Sequence, residues 1–224
     1  MARNFVISIS GNGECGKDTA APMFSRLLGI PYKESTSACV VDPWWDEIQA
    51  GKWSANRPEM PDDSRYDIKN IVIEPYQYAS KAEFHEDRRN RRMDWVHYIE
   101  YFNWNYGNNG IGLYEKTVED GNHILTGIRR TGQFERCLDH IIDVAIWINR
   151  DSASHDESQE YGEESCDYTI DNNGTLEDLV ERCNQVAYNI MSNLEHGDFT
   201  TDWIIQKLDD EEENIKAWIR SSKK

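Results

Sequence analysis

A three-layer α/β fold, with helices on both faces of a central parallel sheet, is the fold class this 224-residue sequence predicts. Two observations predict it. A hydrophobic, β-rich run, Phe5-Val6-Ile7-Ser8-Ile9-Ser10, passes straight into the glycine-rich stretch GNGECGK and then into a helical pattern. Further short β-rich runs follow at 38–41, 123–128, 143–149 and 167–170, with helical patterns between or beside them.

Each element has its own local justification. The first strand ends at Gly11. The helix after Lys17 carries apolar residues at Ala20, Ala21, Phe24, Leu27 and Leu28, tolerates Pro22 early in its course, and stops at Gly29. Residues 44–80 hold Trp44, Trp45 and Trp53, and four of the six prolines fall at 43, 58, 61 and 75; the expectation here is an irregular insertion over the sheet. A long helix is expected over 83–104. Residues 151–166 are polar and nearly free of hydrophobes, which predicts a mobile loop. Two terminal helices are expected over 176–194 and 201–219, the first capped by Thr175 with Asp178 in a capping-box role. The run 209–213 reads as a solvated helix face.

Composition narrows the function classes. The formal net charge of -17 disfavours long nucleic acid as a partner. Residues 151–198 contribute 13 acidic side chains against one basic one, Arg182. Positive charge gathers instead at Arg88, Arg89, Arg91 and Arg92 and at Arg129 and Arg130, as suits a small anionic ligand. No apolar run approaches the ~20 residues that span a membrane, and the N-terminal run reads as a strand, not a signal peptide. The five cysteines (15, 39, 137, 166 and 183) form no CxxC pair, which suggests reduced thiols in a cytoplasmic setting. No HExxH motif and no Ser/His/Asp arrangement presents itself.

The loop Gly11-Asn12-Gly13-Glu14-Cys15-Gly16 followed by Lys17 has the residues that a phosphate cradle needs. Glycines let backbone N–H groups turn toward phosphate oxygens, Lys17 reaches the outer phosphates, and the following helix points its positive end at the anion. Asp18 replaces the Ser or Thr that would bind Mg²⁺ in many such loops, and the hydroxyl moves to Thr19. A dinucleotide reading of Gly11, Gly13 and Gly16 is the weaker rival, because Lys17 follows directly. Arg88, Arg91, Arg92 and Trp95 fall on one face if residues 83–104 are a continuous helix. Arginine forks suit phosphate; pairing with neighbouring acids is the alternative, and Trp95 either stacks on a base or packs in the core.

GKDT at 16–19 resembles the GKGT of nucleoside monophosphate kinases of the adenylate kinase type. The chain is similar to the small phosphate-loop (P-loop) kinases encoded by bacteriophages. Residues 124–131, ILTGIRRT, resemble the family's LDGFPRT: Gly127 matches the glycine, Arg130 the phosphate-binding arginine and Thr131 the threonine. Arg129 stands in place of proline and Thr126 in place of an aspartate that organises the metal's water. CDYTIDNNGTLEDL resembles the ending of the phage deoxynucleoside monophosphate kinases, in which the loop at Asn172 borders the donor base.

The resemblance implies one P-loop NTPase domain over 1–224, with a substrate-binding insertion at 44–104, a lid loop at 150–166 and C-terminal helices over 175–224. It implies transfer of the ATP γ-phosphate to a deoxynucleoside monophosphate, with Mg²⁺. The loop, Lys17, Asp18, Thr19, Arg150 and Asn172 would hold ATP. Arg130, with Arg129, Arg88, Arg91 or Arg92, would clamp the acceptor phosphate. Asp18 and Asp42, the latter expected at the end of a second strand, are the candidates near the metal, and Asp42 and Trp95 would meet the acceptor. The expected partner is a small nucleotide, and a homodimer is compatible with the sequence. Two alternatives stay open: a kinase acting on a hydroxyl of a modified nucleoside or base, with Asp42 as base, and a nucleotide-binding protein without catalysis.

Overall fold

The computed structural model describes residues 4–32, 36–53, 71–74, 76–106, 110–119, 121–155, 159–193, 210–217 and 219–220. Four parallel strands form one sheet: β1 (Val6–Ser10), β2 (His123–Thr126), β3 (Val144–Asn149) and β4 (Tyr168–Asp171), in the order β2-β1-β3-β4. β1 is fully buried along its length, as expected for a central strand covered on both faces. The edge beside β2 is extended by a one-residue bridge between Tyr32 and Ile124.

Side chains alternate between two cores, as the strand period of two dictates. Ile7, Ile9, Ile124, Ile146 and Ile148 face α1 (Lys17–Leu28) and α7 (Leu176–Asn193), joined by Ile215 and Ile219 from the C-terminal stretch. Val6, Leu125, Ala145 and Trp147 face the opposite way. That second core takes in α2 (Thr36–Gln49), α3 (Lys81–Glu86), α4 (Arg92–Asn105), α5 (Gly112–Thr117) and α6 (Thr131–His140). Among the described residues, no helix is long and apolar enough to cross a membrane.

Three expected elements differ. The run 38–41 is not a strand but part of α2. Val40, Trp44 and Ile48, spaced by four, are all fully buried and form a helical stripe that overrides the β-propensity of the valines. Residues 44–49 belong to the same helix and are not irregular; 54–70 lie outside the described residues. The long helix of 83–104 is broken: α3 passes into a 3₁₀ turn at Asp87–Arg89, and α4 starts after Arg91, whose φ of -116° and ψ of 34° are not helical. At the C-terminus, 210–217 is helical. Its Glu212 is not simply solvated: it pairs with Lys216, which also reaches Glu181 of α7 at 3.2 Å. Residues 201–209 lie outside the described residues.

Trp44 organises the second core. It stacks on Tyr98 at 4.3 Å and meets Trp95, Phe84 and Trp53 edge-on at 4.8, 5.1 and 5.8 Å. The buried Glu47 carboxylate accepts from Trp53 Nε1, Tyr98 OH and Tyr106 OH at 3.1, 3.3 and 2.8 Å. Three donors, with Lys52 Nζ at 3.6 Å, offset the cost of placing a charge there.

Candidate functional site

The loops leaving the C-terminal ends of all four strands converge. The β2-β1-β3-β4 order puts a topological switch point between β1 and β3, because β1 leads to β2 on one side and β3 leads to β4 on the other; open parallel sheets bind ligands there. The loops leaving β1 and β3 touch at that point through an antiparallel bridge between Gly13 and Ser154.

The glycine loop has backbone geometry that few residues tolerate. Gly11 has φ +153°; a Cβ there would lie 2.5 Å from both Cys15 Sγ and the Ile148 carbonyl oxygen. Gly16 has φ +101° and starts α1 with no side-chain cap. Glu14 stands at φ +61°, a left-handed conformation that costs a non-glycine residue about 1 kcal/mol or more. Gly16 and Asp18 belong to the start of α1, where backbone N–H groups have no acceptor within the helix, and no side chain caps them. The Lys17 N–H is directed at the buried Cys15 thiol; burial pushes that thiol above its ordinary pKa, and the N–H and the Lys17 charge pull the other way. Lys17 Nζ is largely covered and lies 3.7 Å from the exposed Asp18 carboxylate. An uncapped helix N-terminus and an ammonium form a concentration of positive potential suited to an anion.

Asn172 holds this loop from beneath. Its side-chain amide donates to the Cys15 carbonyl at 2.8 Å, its backbone N–H donates to the Asn149 carbonyl at 2.7 Å, and it sits where a side chain on Gly16 would be. It is therefore a support of the loop. Asn173 ties the same turn to the β3 loop by accepting from the Asp151 N–H at 2.8 Å. Thr175 and Asp178 make the expected reciprocal cap on α7: the Asp178 N–H donates to Thr175 Oγ1 at 3.2 Å and the Thr175 N–H to Asp178 Oδ2 at 2.7 Å. Thr19 and Arg150 are exposed at the loop's rim.

Arg129 and Arg130 stand in the turn after β2, with Arg130 at the N-cap of α6. Here the polar segment expected to be mobile is fastened. Glu160 pairs with Arg130, accepts from the Thr131 N–H at 3.2 Å, and is held through its own backbone to Arg129 and Thr131. The next residue, Tyr161, is buried; it stacks on Phe134 at 4.0 Å and donates its OH to the Ile128 carbonyl at 2.9 Å. Its oxygen is 2.6 Å from Ser10 Oγ. The Tyr161 proton is committed to Ile128, so Ser10 is the donor in that contact. Residues 156–158 lie outside the described residues. Neither Glu160 nor Tyr161 was singled out by sequence patterns, although Tyr161 is the one large ring in 151–166 and was the available signal.

Beneath α6, the Gln133 amide donates to both oxygens of the buried Glu100 carboxylate at 2.9 and 3.0 Å. Burial raises the Glu100 carboxyl above its ordinary range; Gln133, Arg130 and Arg136 oppose the rise and Glu160 adds to it. A carboxyl raised in the folded state favours folding below its unfolded pKa, and that contribution is lost as pH rises through the folded value. Glu100→Gln is therefore expected to melt above the wild type at pH 8, by on the order of 1 kcal/mol, with the gain shrinking toward pH 4. Thermal melts of both proteins at the two pH values check this.

Several expected residues lie elsewhere. Asp42 is on α2, exposed and paired with Lys81, not at a strand end beside the loop. Arg91 is occupied with structure: Nε donates to Asp94 at 2.7 Å, and its other nitrogens donate to Tyr78 OH and the Val72 carbonyl. Arg88 donates to the His85 carbonyl at 3.1 Å. Trp95 is buried between Trp44 and Phe84, so its face is taken by the core. The helix break separates Arg88 from the α4 face, and Arg92 is exposed at the first residue of α4. Thr126 is buried at the end of β2. Among the described residues, no group of three or more His, Cys, Asp or Glu is arranged to hold a metal ion. No known family model matches the chain, and no curated protein matches it in sequence.

Proposed function

We propose that the chain is an ATP-dependent kinase that transfers the γ-phosphate to a nucleoside monophosphate, with a deoxynucleotide as the preferred acceptor. The observation that carries this reading is the glycine loop at the β1–β3 switch point, which ends in the uncapped N-terminus of α1 with Lys17 as its first residue. The donors of that terminus match the oxygens of a triphosphate, and the strained Glu14 is what a loop shaped for a ligand tolerates. Lys17 neutralises charge on the outer phosphates, and Arg150, the residue after β3 at the same edge of the sheet, would assist. Arg130, in the turn after β2, would offer the acceptor phosphate a bidentate fork.

Mg²⁺ typically enters such sites with the nucleotide, bound through phosphates, waters and at most one or two carboxylates. The residues fit that pattern: Asp18 beside Lys17 is the nearby carboxylate that would order the ion's waters, and Asp42 has no part in it. The ion would supply charge neutralisation of the triphosphate. A phosphate acceptor is already anionic, so the chain needs positioning groups and no general base. Asp42, the base that a hydroxyl acceptor would call on, is exposed on α2 and paired with Lys81, which favours the reading with a phosphate acceptor.

The test is ADP formation from Mg-ATP against a panel of common nucleoside and deoxynucleoside monophosphates. Stimulation at least tenfold over the acceptor-free rate by one or a few is expected. A rate unchanged by every monophosphate contradicts the proposal.

A further inference from the structure

We propose that Glu160 is the internal occupant of an anion site made by Arg130 and the Thr131 N–H, and that a phosphomonoester displaces it; this rests on the acceptor role given to Arg130 above. α6 spans ten residues and has no side-chain cap of its own, since its N-cap residue is Arg130. The cap arrives from the β3–β4 connection instead. One Glu160 oxygen meets the Arg130 guanidinium and the other accepts from the Thr131 N–H. A carboxylate that bridges a guanidinium and a helix N-terminal N–H uses the donor pair that two oxygens of a phosphate would use, and a phosphate dianion satisfies them with more charge.

The carboxylate is not a casual surface contact. The Glu160 N–H donates to the Arg129 carbonyl at 2.9 Å, and Thr131 Oγ1 donates to the Glu160 carbonyl at 3.1 Å. Tyr161 then plugs the gap between the ends of β1 and β2 through Ser10 Oγ, the Ile128 carbonyl and the face of Phe134. Two anions cannot share one donor pair without mutual repulsion. An entering phosphate must therefore expel the Glu160 side chain, and loosening of 159–161 follows. Because Ser10 immediately precedes Gly11, the same release reaches the glycine loop. Glu160 is then a gate that sets the apparent affinity for the acceptor, since affinity falls by the fraction of molecules in which the site is open.

Calorimetric titration with inorganic phosphate, in wild type, in Glu160→Gln and Lys17→Ala variants and in the double variant Lys17→Ala with Arg130→Gln, tests this. Gln keeps an acceptor for the Thr131 N–H and removes the charge. Glu160→Gln is expected to bind phosphate about three- to tenfold more tightly than wild type. Binding is expected to survive Lys17→Ala, which disables the glycine loop as a second phosphate site, and to be lost when Arg130→Gln is added to Lys17→Ala. Hydrogen exchange of the wild-type peptide covering 159–161 is expected to quicken when phosphate is added. Unchanged or weaker binding in Glu160→Gln overturns the proposal, as does binding that is lost in Lys17→Ala or kept in the double variant. These are binding readouts, so a failure of phosphoryl transfer, read by ADP formation, is separately visible.

Discussion

Lys17→Ala is expected to lower ADP formation by about 10³-fold, the scale lost when one preorganised donor to a developing charge is removed, while shifting the melting temperature by no more than about 2 °C. The two halves of this expectation have one origin. Lys17 occupies the first position of α1, where the helix dipole opposes a cation, and its Nζ lies 3.7 Å from the exposed Asp18 carboxylate. Folding gains little from a charge in that position, so its removal costs little. A bound triphosphate reverses the sign, because phosphate oxygens supply the negative charge that the helix end and the ammonium both favour. Steady-state assays beside circular-dichroism melts separate the effects. Retained turnover, or a collapse in stability, contradicts the role assigned to Lys17.

Gly11→Ala is expected to cost about 3–5 kcal/mol, combining a forbidden backbone conformation with overpacking, and to lower the melting temperature by about 10 °C. The added methyl meets Cys15 Sγ and the Ile148 carbonyl, each at 2.5 Å. Cys15 is fully buried and Ile148 belongs to β3, so neither neighbour has room to yield. Displacing Cys15 also disturbs its carbonyl, the acceptor of the Asn172 amide, so the support of the glycine loop fails with the fold. A thermal melt checks the magnitude; a variant melting within 2 °C of wild type contradicts it.

The parts of the fold that were legible in the sequence are those where one local signal dominates. β1 is an unbroken hydrophobic run stopped by a glycine, and β2, β3 and β4 are short β-rich runs, each found within a few residues of its expected bounds. The Thr175–Asp178 cap was legible because a capping box is a purely local bargain between side chain and backbone. The run 38–41 misled because its valines favour strands taken alone. Its helical period shows only when Val40 is read together with Trp44 and Ile48, and packing of that stripe on the aromatic cluster decides the outcome. The arginine run 88–92 suggested one ligand-facing stripe. A break at Asn90 and Arg91 sends Arg91 to Tyr78 and Val72 instead, and partners that distant leave no mark on helical spacing.

The same limit explains what the sequence hid at the candidate site. Glu160 sits about thirty residues from Arg130, inside a segment whose composition marks it as solvent-loving. Nothing local distinguishes it from the other acids of that segment. Glu100 and Gln133 likewise meet across two helices, a coincidence of tertiary structure. The glycine loop escaped this limit because its backbone requirements are written in adjacent residues.

The most direct measurement follows the label from γ-³²P ATP in a mixture of the protein, Mg²⁺ and the four common deoxynucleoside monophosphates. Label recovered on one or more deoxynucleoside diphosphates in wild type, and absent with Lys17→Ala, is the expected result. Label that stays on ATP, or appears only as inorganic phosphate, contradicts transfer to a monophosphate acceptor.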